Sequence, residues 1–219
     1  MRPPDTWKKA PLTAGLALVT IAAWLVAALF GQEDRAIELF GFLPSSFGGA
    51  GAVPVWLQPL TATLVHAGWP HLLFNMIVLV FCGRPVEGVL GTPSMAILYI
   101  FGAYAAAGAQ YLAEYYLISQ PAAMIGASGA ISAVLGAYAM LFGRNKVKVA
   151  SPTLALWLNA LWLMTAWVVL QICIGIALGG ASFLTGGEGV TIAVAAHIGG
   201  FILGVLLANP LLLFKYRKA

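Results

Sequence analysis

Apolar stretches about twenty residues long follow one another along nearly the whole 219-residue chain, and this removes most architectures from consideration. A helix of that length crosses a hydrocarbon layer about 30 Å thick. Water is absent there, so each crossing segment must pair its own backbone N–H and C=O groups, which a helix does. Charged residues make up 8% of the chain and hydrophobic residues 61%, whereas an ordinary soluble domain carries roughly 25% charged residues. The expectation is an all-α integral membrane protein, a single domain over residues 1–219, with nothing left over for a soluble unit.

Hydropathy and length predict a bundle of six spans at about 11–30, 70–89, 93–113, 122–142, 153–178 and 190–214. The first follows Lys8 and Lys9 as a secretory signal would, but it is too long for a signal's apolar region and no small-residue cleavage site follows. It is expected to be a retained anchor. Residues 31–68 carry Pro44, Pro54, Pro59, Gly48 and Gly49 with Phe47 and Trp56 among polar residues. That segment is too broken to span and too apolar for a solvated loop, so it is expected to be partly embedded in the membrane.

Cytoplasmic loops carry the excess of Lys and Arg. Arg2, Lys8, Lys9, Arg84, Arg144, Lys146, Lys148, Lys215, Arg217 and Lys218 all fall on one side of a six-span arrangement, leaving Arg35 on the other. Both termini are therefore expected in the cytoplasm. Glu33, Asp34, Glu38, Glu114 and Glu188 then lie outside. The basic residues sit at span ends rather than on a solvated face, so the +4 formal charge reflects topology and membrane lipids, and no nucleic acid is expected as a partner. Cys82 and Cys173 lie in apolar segments, behave as small hydrophobes and say nothing about redox compartment.

Polar side chains inside hydrocarbon are costly and mark function. Ser128 and His197 each fall about seven residues past a predicted span start, which at 1.5 Å per residue is roughly 10 Å below the outer boundary. Asn75 comes out near that level, with His71 one turn higher. Small residues recur every fourth position at Ala196, Gly200, Gly204 and Ala208, and at Ser128, Ser132 and Gly136, a spacing that lets two helices approach closely in lipid. A Ser hydroxyl facing a neutral histidine meets the minimum requirement for nucleophilic catalysis. No carboxylate is expected beside the pair, so the pattern is a dyad. The N–H groups at a helix start, an Asn amide and a His ring N–H supply donors for an oxyanion; His71 and Asn75, four apart, share a helix face. Gly126 and Gly129 are expected to leave room for a peptide.

Taken singly, each residue has a plainer role. A Ser in a Gly/Ala-rich membrane helix usually serves packing, an Asn can glue helices, and His66 and His71 can sit at headgroups. Their joint placement favours catalysis. Ligation of a haem or metal by His71 and His197 would leave Ser128 idle, and a transporter would call for repeat symmetry that the sequence does not display.

The segments HAGWPHLLFN, GASG and AHIGGFILG, in that order, resemble the rhomboid intramembrane serine proteases over about residues 61–204. The resemblance implies that Ser128 is the nucleophile, His197 the general base, and His71 and Asn75 the oxyanion-hole side chains. It implies cleavage of transmembrane protein substrates near the outer face, with no cofactor or metal. Residues 31–68 would be the family's embedded first loop and His66 a structural histidine. Two positions depart from the pattern. Ser132 stands four residues after the nucleophile, where many members carry an aromatic ring on the catalytic histidine, and Trp56-Leu57-Gln58 stands where a Trp-Arg pair is frequent. Glycines at 179, 180, 186, 187 and 189 suggest a flexible lid around 183–189. Short loops without a targeting extension point to a bacterial plasma membrane.

Overall fold

The computed structural model describes residues 10–43, 53–117, 123–143, 151–185 and 193–217. Among them all regular structure is helical apart from one isolated β-bridge. In chain order the helices are α1 (Pro11–Leu29), α2 (Glu33–Phe40), α3 (Gln58–Thr61), α4 (Trp69–Val78), α5 (Arg84–Leu90), α6 (Thr92–Leu117), α7 (Ser128–Phe142), α8 (Pro152–Thr185) and α9 (Val194–Tyr216). Among the described residues, five segments are long and apolar enough to cross a membrane: α1, α4 with α5, most of α6, the first part of α8, and α9. The protein is an integral, multi-pass, all-helical membrane protein.

The second crossing runs from Trp69 to Leu90 and widens at Leu79–Gly83 into a π turn. Pro85 gives the reason. It lacks an N–H and its ring would strike the carbonyl four residues back, so the helix takes in extra backbone just before it and restarts with Pro85 in the first turn of α5.

The expected span at 122–142 is corrected. Helix α7 begins only at Ser128, and its 15 residues rise about 22 Å, less than a full hydrocarbon thickness. The segment before it is extended. Phe42 and Met124 exchange backbone hydrogen bonds of 3.0 and 2.8 Å, and Gly126 donates to the Ala62 carbonyl at 2.9 Å. Gly126 adopts φ +97°, a left-handed conformation that suits Gly and keeps the helix from starting earlier.

Helix α7 is the centre of the bundle, with every residue from Ser128 to Ala137 buried. Its small side chains admit neighbours at backbone distance. A Cβ at Gly102 of α6 would stand 2.6 Å from Ala133 Cβ, one at Gly129 would overlap Ala106 of α6, and one at Gly204 of α9 would overlap the Ala133 carbonyl. The four-residue stripes seen in the sequence thus become the α6–α7–α9 core. Helices α1 and α8 pack at the periphery, exposing Leu18, Val19 and Val26 on one and Trp157, Leu161 and Trp162 on the other.

A buried carboxylate ties one end of the bundle together. Glu87 accepts from the Leu12 and Thr13 N–H groups at 2.9 and 2.7 Å, the Thr13 hydroxyl at 2.7 Å and the Thr92 hydroxyl at 2.8 Å. It satisfies free donors at the start of α1 and suits the positive end of that helix dipole. At the same end Lys215 of α9 donates to the Val89 carbonyl at 2.5 Å. Removing the Glu87 acceptor leaves buried donors unpaired at about 1–3 kcal/mol each. Glu87→Ala should therefore lower the thermal midpoint in detergent, read by tryptophan fluorescence, and an unchanged midpoint would refute this anchoring role.

In the first loop Gln58 is buried, its Oε1 accepting from the Leu43 N–H at 3.4 Å and its Nε2 donating to the Val53 carbonyl at 3.3 Å. Tyr104 of α6 donates to the Trp56 carbonyl at 2.7 Å, and Thr61 to the Phe40 carbonyl at 2.8 Å. The loop is anchored by an amide where a Trp-Arg pair is absent. Pro44, Phe47, Gly48 and Gly49 lie outside the described residues, as do Arg2, Lys8, Lys9, Arg144, Lys146, Lys148, Glu188 and Lys218. The expected lid at 183–189 is corrected in part: α8 continues as helix through Gly179 and Gly180 to Thr185, while Gly186, Gly187 and Gly189 are outside the described residues.

Candidate active site

The starts of α4, α7 and α9 converge at the end of the bundle opposite Glu87. Ser128 is the first residue of α7, His197 the fourth of α9, and His71 the third of α4. The expectation of a common depth seven residues inside each span is corrected in its count, because α7 and α9 begin later than hydropathy suggests. The residues meet nonetheless.

His197 Nε2 lies 2.8 Å from Ser128 Oγ, and both side chains are buried, 4% and 7% exposed. The approach depends on Gly200, three residues beyond His197, where a Cβ would overlap the Gly129 carbonyl and stand 3.3 Å from Ser132 Cβ. Among the described residues His197 Nδ1 has no hydrogen-bond partner. With a proton on Nδ1, Nε2 is free to accept from the Ser128 hydroxyl.

His71 and Asn75 are brought to the same place through Gly126. A Cβ there would stand 2.7 Å from His71 Nε2 and 3.8 Å from Asn75 Nδ2, so both donors face the turn that precedes Ser128. Asn75 is 1% exposed, and its Nδ2 donates to the His71 carbonyl at 2.9 Å, which leaves one amide hydrogen for another acceptor. The Ser128 N–H, at the first position of α7, has no acceptor within its own helix. The expectation that Gly126 and Gly129 make room for a peptide is corrected: His71 occupies the space beside the first and Ala106 that beside the second.

His66 supports the approach to Ser128. It is 1% exposed, its ring lies 4.9 Å from that of His71, and its Nε2 accepts weakly from the Ala127 N–H at 3.5 Å. Burial, and after it the neighbouring His71, pushes its pKa down from 6.5 to about 3, which keeps Nε2 an acceptor.

One residue at the site carries no signal in the sequence. Trp167 of α8 is buried with its ring 6.0 Å from that of His197, and its Nε1 donates to Ser132 Oγ at 2.8 Å. It stands among seven tryptophans in apolar surroundings, and nothing in its spacing singles it out.

Fold and site together define a class: a multi-pass helical membrane protein with a hydroxyl and an imidazole buried in contact between two helix starts. Residues 53–214 match the family model described as Rhomboid domain, and the chain belongs to the rhomboid family. It is 32% identical over 152 residues to the Rhomboid protease GlpG of Haemophilus influenzae, covering 69% of this chain and 67% of that one. It is also 26% identical over 203 residues to the Rhomboid protease GlpG of Pectobacterium atrosepticum, covering 92% of this chain and 63% of that one. Rhomboid-like protein 11, chloroplastic, of Arabidopsis thaliana matches at 35% identity over 78 residues, 36% of this chain and 26% of that one. The chain thus spans 63% of the length of the Pectobacterium and Serratia GlpG proteins.

Proposed function

We propose that this protein is an intramembrane serine endopeptidase that cleaves single-pass transmembrane substrates near the outer membrane face through a Ser128–His197 dyad. The observation that carries the reading is the 2.8 Å contact between His197 Nε2 and Ser128 Oγ, buried in a family whose GlpG members are named proteases. A Ser hydroxyl is a weak nucleophile until a base takes its proton. His197 takes that proton as Oγ attacks the scissile carbonyl, then gives it to the leaving amine. Water hydrolyses the acyl-enzyme by the same route in reverse.

Asn75, His71 and the Ser128 N–H hold the negative oxygen formed on attack, since all three lie by the turn at Gly126 and gain most when charge develops. Asn75→Ala should lower kcat by about 10²-fold, less than loss of Ser128, because two donors remain. Initial rates on a reporter with one transmembrane helix would read this. An unchanged kcat would remove Asn75 from the oxyanion site.

The topology proposed with this activity has six crossings, α7 being the short central one, and both termini in the cytoplasm of a bacterial plasma membrane. The whole chain, residues 1–219, forms one membrane domain. Supporting this, Thr13 near the start of α1 and Lys215 near the end of α9 lie at one end of the bundle, together with Arg84 and Arg217. The site then opens toward the outer side, where a substrate helix enters laterally and frays. Histidine ligation of a haem or metal fits less well, because His197 Nε2 is directed at Ser128. Labelling by a serine-reactive fluorophosphonate tests the proposal: reaction confined to Ser128 supports it, and absence of reaction together with undiminished cleavage by Ser128→Ala ends it.

A further inference from the structure

A general base is usually oriented by a hydrogen bond to its second ring nitrogen. Among the described residues the Nδ1 of His197 has no hydrogen-bond partner. The hydrogen bond to Ser128 is itself broken during each turnover. Packing by described neighbours can hold the imidazole through that step, and the residue four after Ser128 is Ser132, a short side chain.

Ser132 is fully buried and faces α9, its Cβ 3.3 Å from the place a Cβ would occupy on Gly200, three residues beyond His197. Its hydroxyl donates to the Ser128 carbonyl at 2.7 Å and accepts from Trp167 Nε1 at 2.8 Å. The Trp167 ring meets His197 at 6.0 Å between centroids with 71° between planes, an edge-to-face geometry within the range favoured by aromatic pairs. One indole is thus fixed at its N–H by α7 and packs its ring on the imidazole of α9. Among the described side chains of α8, Trp167 is buried with Ala155, Ala160 and Gln171, while the other large ones are mostly exposed. A tryptophan placed only for contact with lipid would point outward, as Trp157 and Trp162 do.

We propose that Trp167 is the positioning residue for His197: its ring holds the imidazole in the orientation that accepts the Ser128 proton, while its N–H is satisfied by the Ser132 hydroxyl. The inference rests on the reading of Ser128 and His197 as the catalytic pair. The aromatic support has moved from α7 to α8, and Ser132 provides the space and the acceptor that the move requires.

The test compares full-length variants in liposomes, with cleavage kinetics on a transmembrane reporter and the rate of fluorophosphonate labelling. Trp167→Ala should lower kcat and the labelling rate by about tenfold to 10²-fold with KM unchanged, the cost of a base misplaced by a fraction of an ångström to 1 Å. Trp167→Phe keeps a ring without the N–H, and should remain within about threefold of wild type, a small part of that misplacement cost. Adding Ser132→Phe to Trp167→Ala returns an aromatic ring to α7 and should recover most of the lost kcat. Should Trp167→Ala fail to fold, Trp167→Phe and the double variant carry the test alone. Wild-type kcat and labelling in Trp167→Ala, a loss confined to KM, an equal loss in Trp167→Phe, or no recovery in the double variant would overturn the proposal. Each of those results leaves the dyad standing if Ser128→Ala is inactive. Cleavage by Ser128→Ala would instead overturn the reading beneath it.

Discussion

Ser128→Ala should abolish cleavage of a transmembrane reporter, a loss of at least about 10³-fold, while the protein folds and melts as wild type does. Among the described residues the hydroxyl makes one side-chain hydrogen bond, the 2.8 Å approach of His197 Nε2, and it does not cap its own helix. Removing one oxygen therefore orphans little. The carbonyl of residue 128, which receives the Ser132 hydroxyl, is kept by the substitution. His197→Ala should cost as much, and because its Nδ1 already lacks a partner among the described residues, no second polar group is stranded. The double variant should be no worse than either single one, since two groups that act as a unit are not additive. Rates in liposomes with circular dichroism on the same samples would check all three. A folded Ser128→Ala or His197→Ala variant with full activity would defeat the dyad.

The sequence discloses the parts of this protein that obey a one-dimensional rule. Length and hydropathy locate the crossings, because hydrocarbon requires continuous apolar helix, and the observed α1 ends within one residue of its expected boundary. Small residues at every fourth position identify the α7–α9 contact, because only those side chains let two helices touch. Ser128, His197, His71 and Asn75 stand out because polar groups are costly in that medium. What stayed hidden depends on tertiary context. The late start of α7 comes from Phe42 pairing with Met124, more than eighty residues away in sequence, which hydropathy cannot see. The π turn before Pro85 conserves apolar character and leaves the hydropathy trace unchanged.

Glu87 and Trp167 are inconspicuous in the sequence for opposite reasons. Glu87 has the setting of an ordinary acid at a span end, and its four hydrogen bonds join α1, α5 and α6 at points far apart in sequence. Trp167 has the same apolar setting as the lipid-facing tryptophans of its helix. A departure from the family pattern at Ser132 is visible, yet its compensation lies on another helix and needs coordinates to be found.

Gly200→Ala should inactivate the protein by about 10²-fold although it changes no group with chemistry of its own, because a base displaced by about 1 Å loses that much. The added Cβ would overlap the Gly129 carbonyl and lie 3.1 Å from its carbon. The obstacle is backbone inside the most buried helix of the bundle, so a rotamer change cannot relieve it. Helix α9 must then retreat from α7, and His197, less than one turn away on α9, retreats with it. The 2.8 Å gap to Ser128 opens beyond hydrogen-bond reach. Gly108→Ala is the control, since its Cβ would meet nothing within 4 Å, and it should leave both activity and melting unchanged. Fluorophosphonate labelling separates the two consequences of a moved helix. A protein that remains folded but labels slowly has lost the pairing of base and nucleophile, whereas one that labels at the wild-type rate per folded molecule would show that the dyad does not depend on the α7–α9 spacing.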